Sequence, residues 1–473
     1  MANRKTPDRA MTKASFRPDM NVSHLTPVIA VLLVLGSGAS SAPASPADQM
    51  SWLDNGLIRF GADLSIGGAV TYLADANEKV NVINSHDWGR QVQMSFYCGP
   101  NPFEPDGKKP RPDWAALGWN PIQSGDCYGH RSQVIDHRND GREIYIKCIP
   151  MHWPLENQPG QCTFECWYRL EGRTVQIRSR LNNARSDTTQ YGARGQELPA
   201  VYTNGPYHRL MTYTGDTPFA GEPAVEIPKQ KHPPGGIRWA HWTATENWAA
   251  LVNERDWGLG IWHPGVYSFI GGFAGGKPGR GGPKDGPTGY IAPLHQEILD
   301  HNIQYEYRYV LILDTLARIR RYVYEHAGKP APPRYIFAKN RQHWTYRRAH
   351  DTGWPIRDCL RIVADGRDVQ LVGPPEFWPA QPQHRLTVVA AIKTTDGRDK
   401  VAATVYWKTA ENDSFSAERS VSHELLADGR KHTYAIDIGA AAGYRGIVTQ
   451  LRFDPVENSQ PGNKIDLYSL TVQ

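Results

Sequence analysis

The sequence has no hydrophobic run long enough to cross a membrane. Its longest apolar segment, 26–36 (TPVIAVLLVLG), has about ten residues, whereas a membrane-spanning helix needs about twenty. Basic residues precede this segment, and the small-residue stretch SGASSAPASPA follows it. This order predicts a secretory signal peptide over residues 1–44, cleaved after Ala42 or Ala44, although an N-terminal anchor would share the pattern. We therefore expect a secreted or periplasmic protein with no stable membrane span.

The chain also lacks a strong excess of either charge. The first twenty residues contribute +3 of the formal +5, so a net charge of about +2 remains for the rest. A nucleic-acid partner is not expected, because such partners need a concentrated basic face. Tryptophan and tyrosine are abundant, at 15 and 22, which suits flat surfaces that stack on sugars.

Common catalytic and cofactor motifs are missing. There is no H-E-x-x-H zinc-peptidase motif and no G-x-S-x-G nucleophile elbow. Residues 271–277 (GGFAGGK) match the start of a phosphate-binding loop, but Pro278 stands where the magnesium-binding hydroxyl residue is required. We interpret the surrounding glycine-rich stretch, 271–289, as a mobile loop near a cleft. The sequence predicts neither a cofactor nor a bound metal.

Cysteine is scarce, with six residues in the chain. An exported protein can form disulfides, and Cys148 is predicted to lie near Cys162 or Cys166 on the neighbouring strand. The sequence does not define which cysteines pair. No second pair of ligands follows Cys162 and Cys166, so a zinc site is not expected there.

Long helical periodicity is nearly absent. Residues 174–183 (TVQIRSRLNN) alternate apolar and polar side chains and follow 162–170 (CTFECWYRL) through a turn, which predicts a β-hairpin. Similar strand pairs recur over nearly 280 residues, and only the stretch before 326–334 (HAGKPAPPR) reads as helical. The fold class is therefore all-β: a large antiparallel supersandwich followed by a smaller jelly-roll-like β-sandwich. The predicted division is 50–327 for the first domain, 328–335 for a proline-rich linker and 336–473 for the second domain.

The second domain resembles the β-sandwich carbohydrate-binding-like modules of secreted polysaccharide-active enzymes. The resemblance is carried by ADGRKHTYAIDIG, YRGIVTQLRFDP and NKIDLYSLTV, within 427–472. By its all-β character, its size and the placement of its polar clusters, the first domain resembles the galactose-mutarotase-like supersandwich of aldose epimerases, several glycoside hydrolases and polysaccharide lyases. This resemblance implies a glycan substrate. The catalytic His and Glu motifs of the epimerases have no match here, so no catalytic residue is transferred.

The stretch 194–205 (RGQELPAVYTNG) is the first candidate site. Glu197 lies between Gly195 and Pro199, where regular strand pairing is interrupted and a bulge can direct the side chain out of the sheet. Its predicted neighbours are Arg194, Gln196, Tyr202 and Asn204. The alternative is a buried Glu197–Arg194 ion pair that only stabilises the bend.

Other polar clusters provide further candidates. Residues 84–97 (NSHDWGRQVQMSFY) place amides on one strand face, although an Asp87–Arg90 pair on a solvated sheet would explain them without a ligand. The remaining clusters lie in turn-rich loops and in a tryptophan-rich region, where turn chemistry or core packing is the alternative. The candidate substrate-binding residues outside 194–205 are His86, Trp88, Arg90, Gln91, Gln93, Asn120, Gln123, His152, Trp153, Glu246 and Trp248.

A glycoside hydrolase using two carboxylates is the first functional hypothesis. Glycosidic cleavage needs an acid for the leaving oxygen and a second carboxylate, and the predicted catalytic residues are Glu197, Asp87 and Asp126, with Glu246 behind them. A polysaccharide lyase is the alternative, with Tyr202 or His152 as the base and Arg194 and Asn204 neutralising a uronate. A non-catalytic glycan-binding protein is the third hypothesis.

Overall fold

A computed structural model describes residues 49–229 and 239–473, so the predicted signal peptide lies outside the described residues. Before the linker the strands are β1 (Met50–Asp54), β2 (Ile58–Asp63), β3 (Ala69–Asp75), β4 (Val92–Ser95), β5 (Pro121–Ile122), β6 (Gln133–Asn139), β7 (Glu143–Ile149), β8 (Met151–His152), β9 (Cys162–Glu171), β10 (Thr174–Asn183), β11 (Arg194–Asn204), β12 (Arg209–Thr212), β13 (Val225–Glu226), β14 (Ala240–Thr243), β15 (Trp248–Val252), β16 (Trp257–Trp262), β17 (Ser268–Ala274), β18 (Thr288–Glu297) and β19 (Gln304–Thr315). The helix α1 (Leu316–His326) follows, then β20 (Arg334–Ile336), β21 (Thr345–Arg347), β22 (Ala349–Asp351), β23 (Leu360–Ala364), β24 (Gln370–Pro379), β25 (Leu386–Lys393), β26 (Lys400–Thr409), β27 (Ser420–Leu426), β28 (His432–Ile436), β29 (Ile447–Asp454) and β30 (Lys464–Val472). Short 3-10 turns lie at Leu64–Ile66, Pro105–Gly107, Pro112–Leu117 and Ala417–Arg419.

The strands before α1 form two antiparallel sheets. The first has ten strands, with the order β1-β2-β3-β4-β11-β18-β17-β14 and β5 and β8 attached at β4. The second has nine, with the order β13-β12-β15-β16-β19-β10-β9-β7-β6. Their inner faces enclose one hydrophobic core, so this part of the chain is the predicted large sandwich.

The alternating sequence at 174–183 behaves as expected. β10 pairs with β9 in antiparallel register from Thr174–Glu171 to Asn183–Cys162. Val175, Ile177 and Leu181 point into the core, while polar side chains between them remain partly exposed. The hairpin prediction is confirmed, and the period-two pattern is its cause.

The strands after α1 form a second pair of sheets. One has six strands, with the order β22-β23-β30-β25-β28 and β20 added beside β30, and the other has five, with the order β21-β24-β29-β26-β27. A separate hydrophobic core lies between them. The all-β prediction is therefore correct for both parts. The described residues form one compact unit, and the predicted domain boundaries remain predictions.

A buried ion cluster joins the two sandwiches. Arg341 donates to Asp351 from Nε at 2.6 Å and to Asp300 from Nη2 at 2.6 Å. Asp300 follows β18, whereas Arg341 and Asp351 belong to the second sandwich. Gln190 adds hydrogen bonds to both carboxylates. This network places the first-sandwich segment after β18 against the second sandwich, close to the histidines described below.

All six cysteines lie in the described residues, and all are free thiols. Cys148 pairs across the sheet with Phe164, directly between Cys162 and Cys166 on β9. The predicted proximity of these residues is therefore present without a disulfide. Among the described residues, no helix is both long and apolar enough to cross a membrane.

Candidate functional site

The strand carrying Glu197 is irregular where the sequence predicts a bend. Glu197 pairs with Leu294 on one side and with Ser95 on the other, and pairing with β18 resumes only at Val201 opposite Ile291. β11 therefore has one more residue than β18 in this interval, which is a β-bulge. Pro199 has no N–H to contribute to the ladder, so the interruption follows directly from the sequence.

Glu197 lies on the outer face of the ten-stranded sheet, away from the core. Tyr290 donates its hydroxyl to Glu197 Oε1 at 2.8 Å. The Tyr290 ring packs against Tyr202 and Trp239, with ring centroids 4.8 and 4.9 Å away. The Tyr97 hydroxyl is a second group on this face, and its interaction with Glu197 lowers the pKa of that carboxyl group. We call these five residues the tyrosine face.

The electrostatics of the tyrosine face favour a protonated carboxyl group. Burial raises the pKa of Glu197 above its ordinary value of 4.5, and the hydroxyls of Tyr290 and Tyr97 only partly oppose this effect. In the described part of the chain, no basic side chain lies within ion-pair distance of Glu197. Glu197 as a residue is nevertheless half-buried, not fully enclosed. A carboxyl group with a raised pKa can act as a general acid when a substrate reaches it.

Arg194 does not form the ion pair proposed as an alternative. Its guanidinium donates to the carbonyl oxygens of Leu117 at 2.9 Å and Ala116 at 3.1 Å. Gln196 is also hydrogen-bonded to the backbone: its side-chain amide donates to the Tyr97 carbonyl and accepts from the Tyr97 N–H, each at 2.8 Å. Asn204 donates to the Asn81 carbonyl at 2.6 Å. Of the polar side chains predicted in this stretch, only Glu197 and Tyr202 belong to the tyrosine face.

Asp87 and Arg90 lie close enough to influence this face. Asp87 Oδ2 is 3.1 Å from Arg90 Nε, and the Asp87 side chain is 46% exposed. Burial raises the pKa of Tyr202, and the charges of Glu197 and Asp87 raise it further, whereas Arg90 lowers it. The paired, solvated arrangement that was the alternative explanation for Asp87 and Arg90 is present. Asp87 remains a candidate for the second carboxylate, because its charge acts on Tyr202 of this face.

Residues 283–287, at the end of the glycine-rich stretch, pack against residues 84–90, while the predicted mobility of the stretch stays a prediction. Arg90 donates to the Gly286 carbonyl at 2.6 Å, and His86 Nδ1 lies 2.8 Å from the Lys284 carbonyl oxygen. The Ser85 N–H donates to the Pro283 carbonyl at 2.6 Å. These hydrogen bonds are accepted by backbone carbonyl oxygens of the stretch. This part of the stretch therefore forms an ordered rim beside Asp87.

The predicted amide ladder lies on the same outer face as Glu197 but is enclosed. Gln93 donates to the Trp88 carbonyl at 3.0 Å and to Gln91 at 3.2 Å. Asn120 donates to the Phe96 carbonyl at 2.8 Å, and Gln123 donates to the Gly67 carbonyl at 3.1 Å. All four amides are almost fully buried. Their hydrogen bonds stabilise loops, and the structure does not expose them to a ligand.

The other loop candidates also have structural contacts, in turns or in buried packing. Asp126 accepts from the Tyr128 and His130 N–H groups, both at 2.9 Å, which is turn chemistry. His152 lies buried beside Trp119, and burial lowers its pKa to about 3. Trp153 packs edge-on against Trp114 at 6.1 Å. None of the three is brought to the tyrosine face.

Glu246 and Trp248 lie in a different buried cluster, between the nine-stranded sheet and α1. Glu246 forms a two-point ion pair with Arg320, at 2.9 Å from Nε and 2.8 Å from Nη2. It also accepts from Trp248 Nε1 at 2.8 Å and from the Tyr324 hydroxyl at 2.7 Å. Both Glu246 and Trp248 are fully buried. Their polar groups are used internally, so we do not retain them as site residues.

A second polar cluster, which the sequence prediction missed, lies where the two sandwiches meet. It surrounds a cavity of about 300 Å³. The polar side chains lining it are His263, His295, Glu306, Tyr305, Tyr307, Tyr335, Gln342, His343, Arg334 and Glu376, and Glu297 is hydrogen-bonded to two of them. We call His263, His295, Glu297 and His343 the histidine cluster.

Glu297 is the carboxylate to which the charged and polar groups of the histidine cluster are bound. Its Oε1 lies 2.5 Å from His343 Nδ1 and accepts from the Tyr305 hydroxyl at 2.9 Å. Burial would raise the pKa of Glu297, but His343 and His295 lower it well below its ordinary value. Burial likewise opposes charge on His343, yet the Glu297 carboxylate raises its pKa. Nearby, burial raises the pKa of Glu376 to about 7.

The signal for the histidine cluster in the sequence is weak. His295 and Glu297 alternate in β18, so they share one strand face. His343 comes from beyond the linker, 46 residues after Glu297, and the folding of the second sandwich brings it close. An H-x-E pair in a strand would have suggested two cooperating side chains, but nothing near His343 identifies it as the third.

No protein-family model and no curated protein matches the chain. Solved structures do match. A putative aldose 1-epimerase from Escherichia coli K12 is 11% identical, with 56% of this chain and 99% of that chain covered and a TM-score of 0.35. A galactose mutarotase-like protein from Lactobacillus casei ATCC 334 gives the same values. A family GH36 alpha-galactosidase from Geobacillus stearothermophilus is 10% identical, covers 58% of this chain and 41% of its own, and has a TM-score of 0.33.

Proposed function

We propose that the protein acts on a polysaccharide or oligosaccharide and hydrolyses glycosidic bonds, with Glu197 as the general acid. The observation that carries the proposal is the state of Glu197: a half-buried residue whose carboxyl group has a raised pKa, accepts from the Tyr290 hydroxyl and has no cationic partner among the described residues. A structural carboxylate of this kind would normally be paired. Here the unpaired group faces aromatic rings, which are the surfaces that stack on sugars.

The proposed reaction begins with proton transfer from Glu197 to the leaving glycosidic oxygen. A second carboxylate then acts as the nucleophile or activates water, and Asp87 is our candidate for that role. Asp87 is accessible and held by Arg90 at 3.1 Å, so its orientation is defined before substrate binds. Tyr202 and Trp239 would bind the sugar ring through their aromatic faces.

Elimination is less compatible with the contacts. The lyase alternative assigned Arg194 and Asn204 to neutralise a uronate, but their donors are occupied by backbone carbonyls. Its candidate bases are also unsuitable, since His152 is buried and burial raises the pKa of Tyr202 well above its ordinary value. Hydrolysis requires fewer changes to the observed hydrogen bonds. We further propose that the protein is exported, because polymeric glycans lie outside the cell.

A glycan panel tests this proposal. Purified protein is incubated with neutral and uronate-containing glycans, while new reducing ends and the absorbance of unsaturated uronates are followed in parallel. Reducing ends without the absorbance change are expected from hydrolysis. The absorbance change would instead assign elimination, and binding without either product would assign a non-catalytic glycan-binding protein. Arg194→Lys, outside the tyrosine face, serves as the control for indirect effects on the fold.

A further inference from the structure

We propose that His295, Glu297 and His343 form a binding site for one divalent transition-metal ion at the junction of the two sandwiches. One potential ligand atom from each residue lies within 4.8 Å of the other two. Glu297 Oε1 is 3.5 Å from His295 Nδ1 and 2.5 Å from His343 Nδ1. Zinc ligands in a tetrahedral site lie about 3.3 Å apart, so an ion needs only a small displacement of His343. This departs from the expectation of no metal.

The types of donor fit such an ion. Two imidazole nitrogens and one carboxylate oxygen form a common ligand set for zinc and for other first-row divalent metals. Calcium and magnesium prefer sites made mostly of oxygen atoms, so they are not expected here. The Tyr305 hydroxyl donates to Glu297 Oε1 at 2.9 Å, which orients the carboxylate as outer hydrogen bonds do in metal sites.

Unpartnered buried atoms provide a second, independent observation. His295 Nδ1, His263 Nε2 and the Tyr307 hydroxyl are buried and make no hydrogen bond with any other described residue. His295 and Tyr307 are each more than nine-tenths buried. Leaving such groups unsatisfied costs about 1–3 kcal/mol each, so a native structure rarely retains several together. A metal ion would use the lone pair on His295 Nδ1, and its water ligands would reach the other two groups.

The surroundings leave space for an ion that is not fully enclosed by protein. The cavity of about 300 Å³ beside the cluster is lined by His263, Tyr307, Tyr335 and Glu376. Three protein ligands leave at least one coordination position for water or for an oxygen atom of a ligand. A site of this type differs from a closed structural zinc site, and it lies on the inner side of the sheet that carries Glu197 on its outer side.

The proposed ion would also link the two sandwiches. His295 and Glu297 belong to β18, whereas His343 precedes β21 in the second sandwich. Binding to the folded state alone stabilises it in proportion to ligand concentration. Metal binding should therefore raise the melting temperature, which gives a readout that does not depend on activity.

Zinc titration of the full chain tests the site. Protein without a histidine tag is stripped with a chelator, dialysed and titrated with zinc chloride by isothermal calorimetry, with thermal unfolding measured at each ratio. We expect one equivalent of zinc to bind and the melting temperature to rise. His343→Ala should bind at least about 100-fold more weakly, and its melting temperature should not respond to zinc. Its side chain is 42% exposed, so the variant is expected to fold.

The control is His432→Ala, which removes a half-buried histidine 3.1 Å from Asp428 and should leave zinc binding unchanged. Glu297→Gln keeps the size of the side chain and provides a second test if His343→Ala is poorly folded. A wild-type protein that takes up less than about a tenth of an equivalent would overturn the proposal. Equal zinc binding by wild type, His343→Ala and Glu297→Gln would overturn it too, since the ion would then bind elsewhere.

Discussion

Glu197 and Glu246 are both glutamates with buried surroundings in the larger sandwich, yet they are held in opposite ways. Glu246 is fully buried and bound by Arg320 through two hydrogen bonds, at 2.8 and 2.9 Å. Glu197 is partly exposed and has tyrosine hydroxyls as partners. Burial alone would raise the pKa of Glu246, but hydrogen bonds from Arg320 and its neighbours lower this pKa below its ordinary value. In Glu197 the effect of burial is the larger one, and the pKa is raised.

The comparison separates structural from chemical roles. A buried carboxylate with a matched guanidinium has no proton to donate and no free position for a ligand. A carboxyl group whose pKa is raised by burial keeps its proton to higher pH, and without a guanidinium bound to it the group has a free position for a ligand. Tryptophan density and local polarity do not distinguish the two cases, because the deciding partner of Glu246 is 74 residues away in the sequence.

The largest expected effect is on stability at Glu246. Glu246→Gln removes the negative charge and leaves the Arg320 guanidinium, which is 14% exposed, without its counterion. We expect a loss of about 3–5 kcal/mol in the free energy of unfolding, measured by urea denaturation. Glu325→Gln is the control, because the Glu325–Arg321 pair on the same helix is exposed and should contribute less than about 0.5 kcal/mol. A loss at Glu246 no larger than at Glu325 would remove the distinction between the two glutamates.

The rim beside the tyrosine face should be sensitive to added volume. A Cβ on Gly205 would lie 1.8 Å from the Arg280 carbonyl oxygen, so Gly205→Ala must displace the glycine-rich stretch. We expect a loss of about 1–3 kcal/mol in the free energy of unfolding. Gly192→Ala is the control, since a Cβ there meets nothing within 4 Å. If both variants unfold like wild type, the stretch is loosely attached, as the sequence interpretation had it.

The pH dependence of stability should have opposite signs at the two glutamates. The folded-state pKa of Glu197 is raised above 4.5, so its contribution is complete below pH 4.5 and declines as the pH rises through the folded value. The pKa of Glu246 is lowered, so its contribution is complete above pH 4.5 and is lost as the pH falls through the folded value. Urea denaturation of wild type and each Glu→Gln variant across this range measures both contributions. Contributions of the same sign would contradict the assigned environments.

The strands of the fold can be predicted from the local sequence pattern, whereas the contacts of the candidate site cannot. Alternation within 174–183 and 162–171 defined a hairpin whose register is the observed one. By contrast, the chemistry of Arg194 depends on the carbonyl oxygens of Leu117 and Ala116, more than 75 residues earlier in the chain. His343 meets Glu297 only through the docking of two sandwiches. Strand pattern is local, whereas hydrogen-bond partners across sheets are set by topology, which one sequence does not specify.

The smallest expected effect is at Tyr290. Tyr290→Phe keeps the ring against Tyr202 and Trp239 but removes the hydroxyl that donates to Glu197 at 2.8 Å. That hydrogen bond lowers the pKa of Glu197, so its removal should raise this pKa further. On the glycan that the panel identifies, the alkaline limb of the rate profile should move to higher pH, with little change in the melting temperature. A profile unchanged in position would mean that Glu197 does not control the rate.

Turnover of Glu197→Gln, measured with thermal unfolding on the same preparation, tests the central claim most directly. Glutamine keeps the shape and hydrogen-bonding capacity of the side chain but has no transferable proton. Because Arg194 is bound to backbone carbonyls, the substitution does not leave the Arg194 guanidinium unpaired. The account predicts a rate about 10²–10⁴-fold lower with an almost unchanged melting temperature. A variant that melts early but retains wild-type turnover in its folded fraction would contradict the account and make Glu197 part of the scaffold.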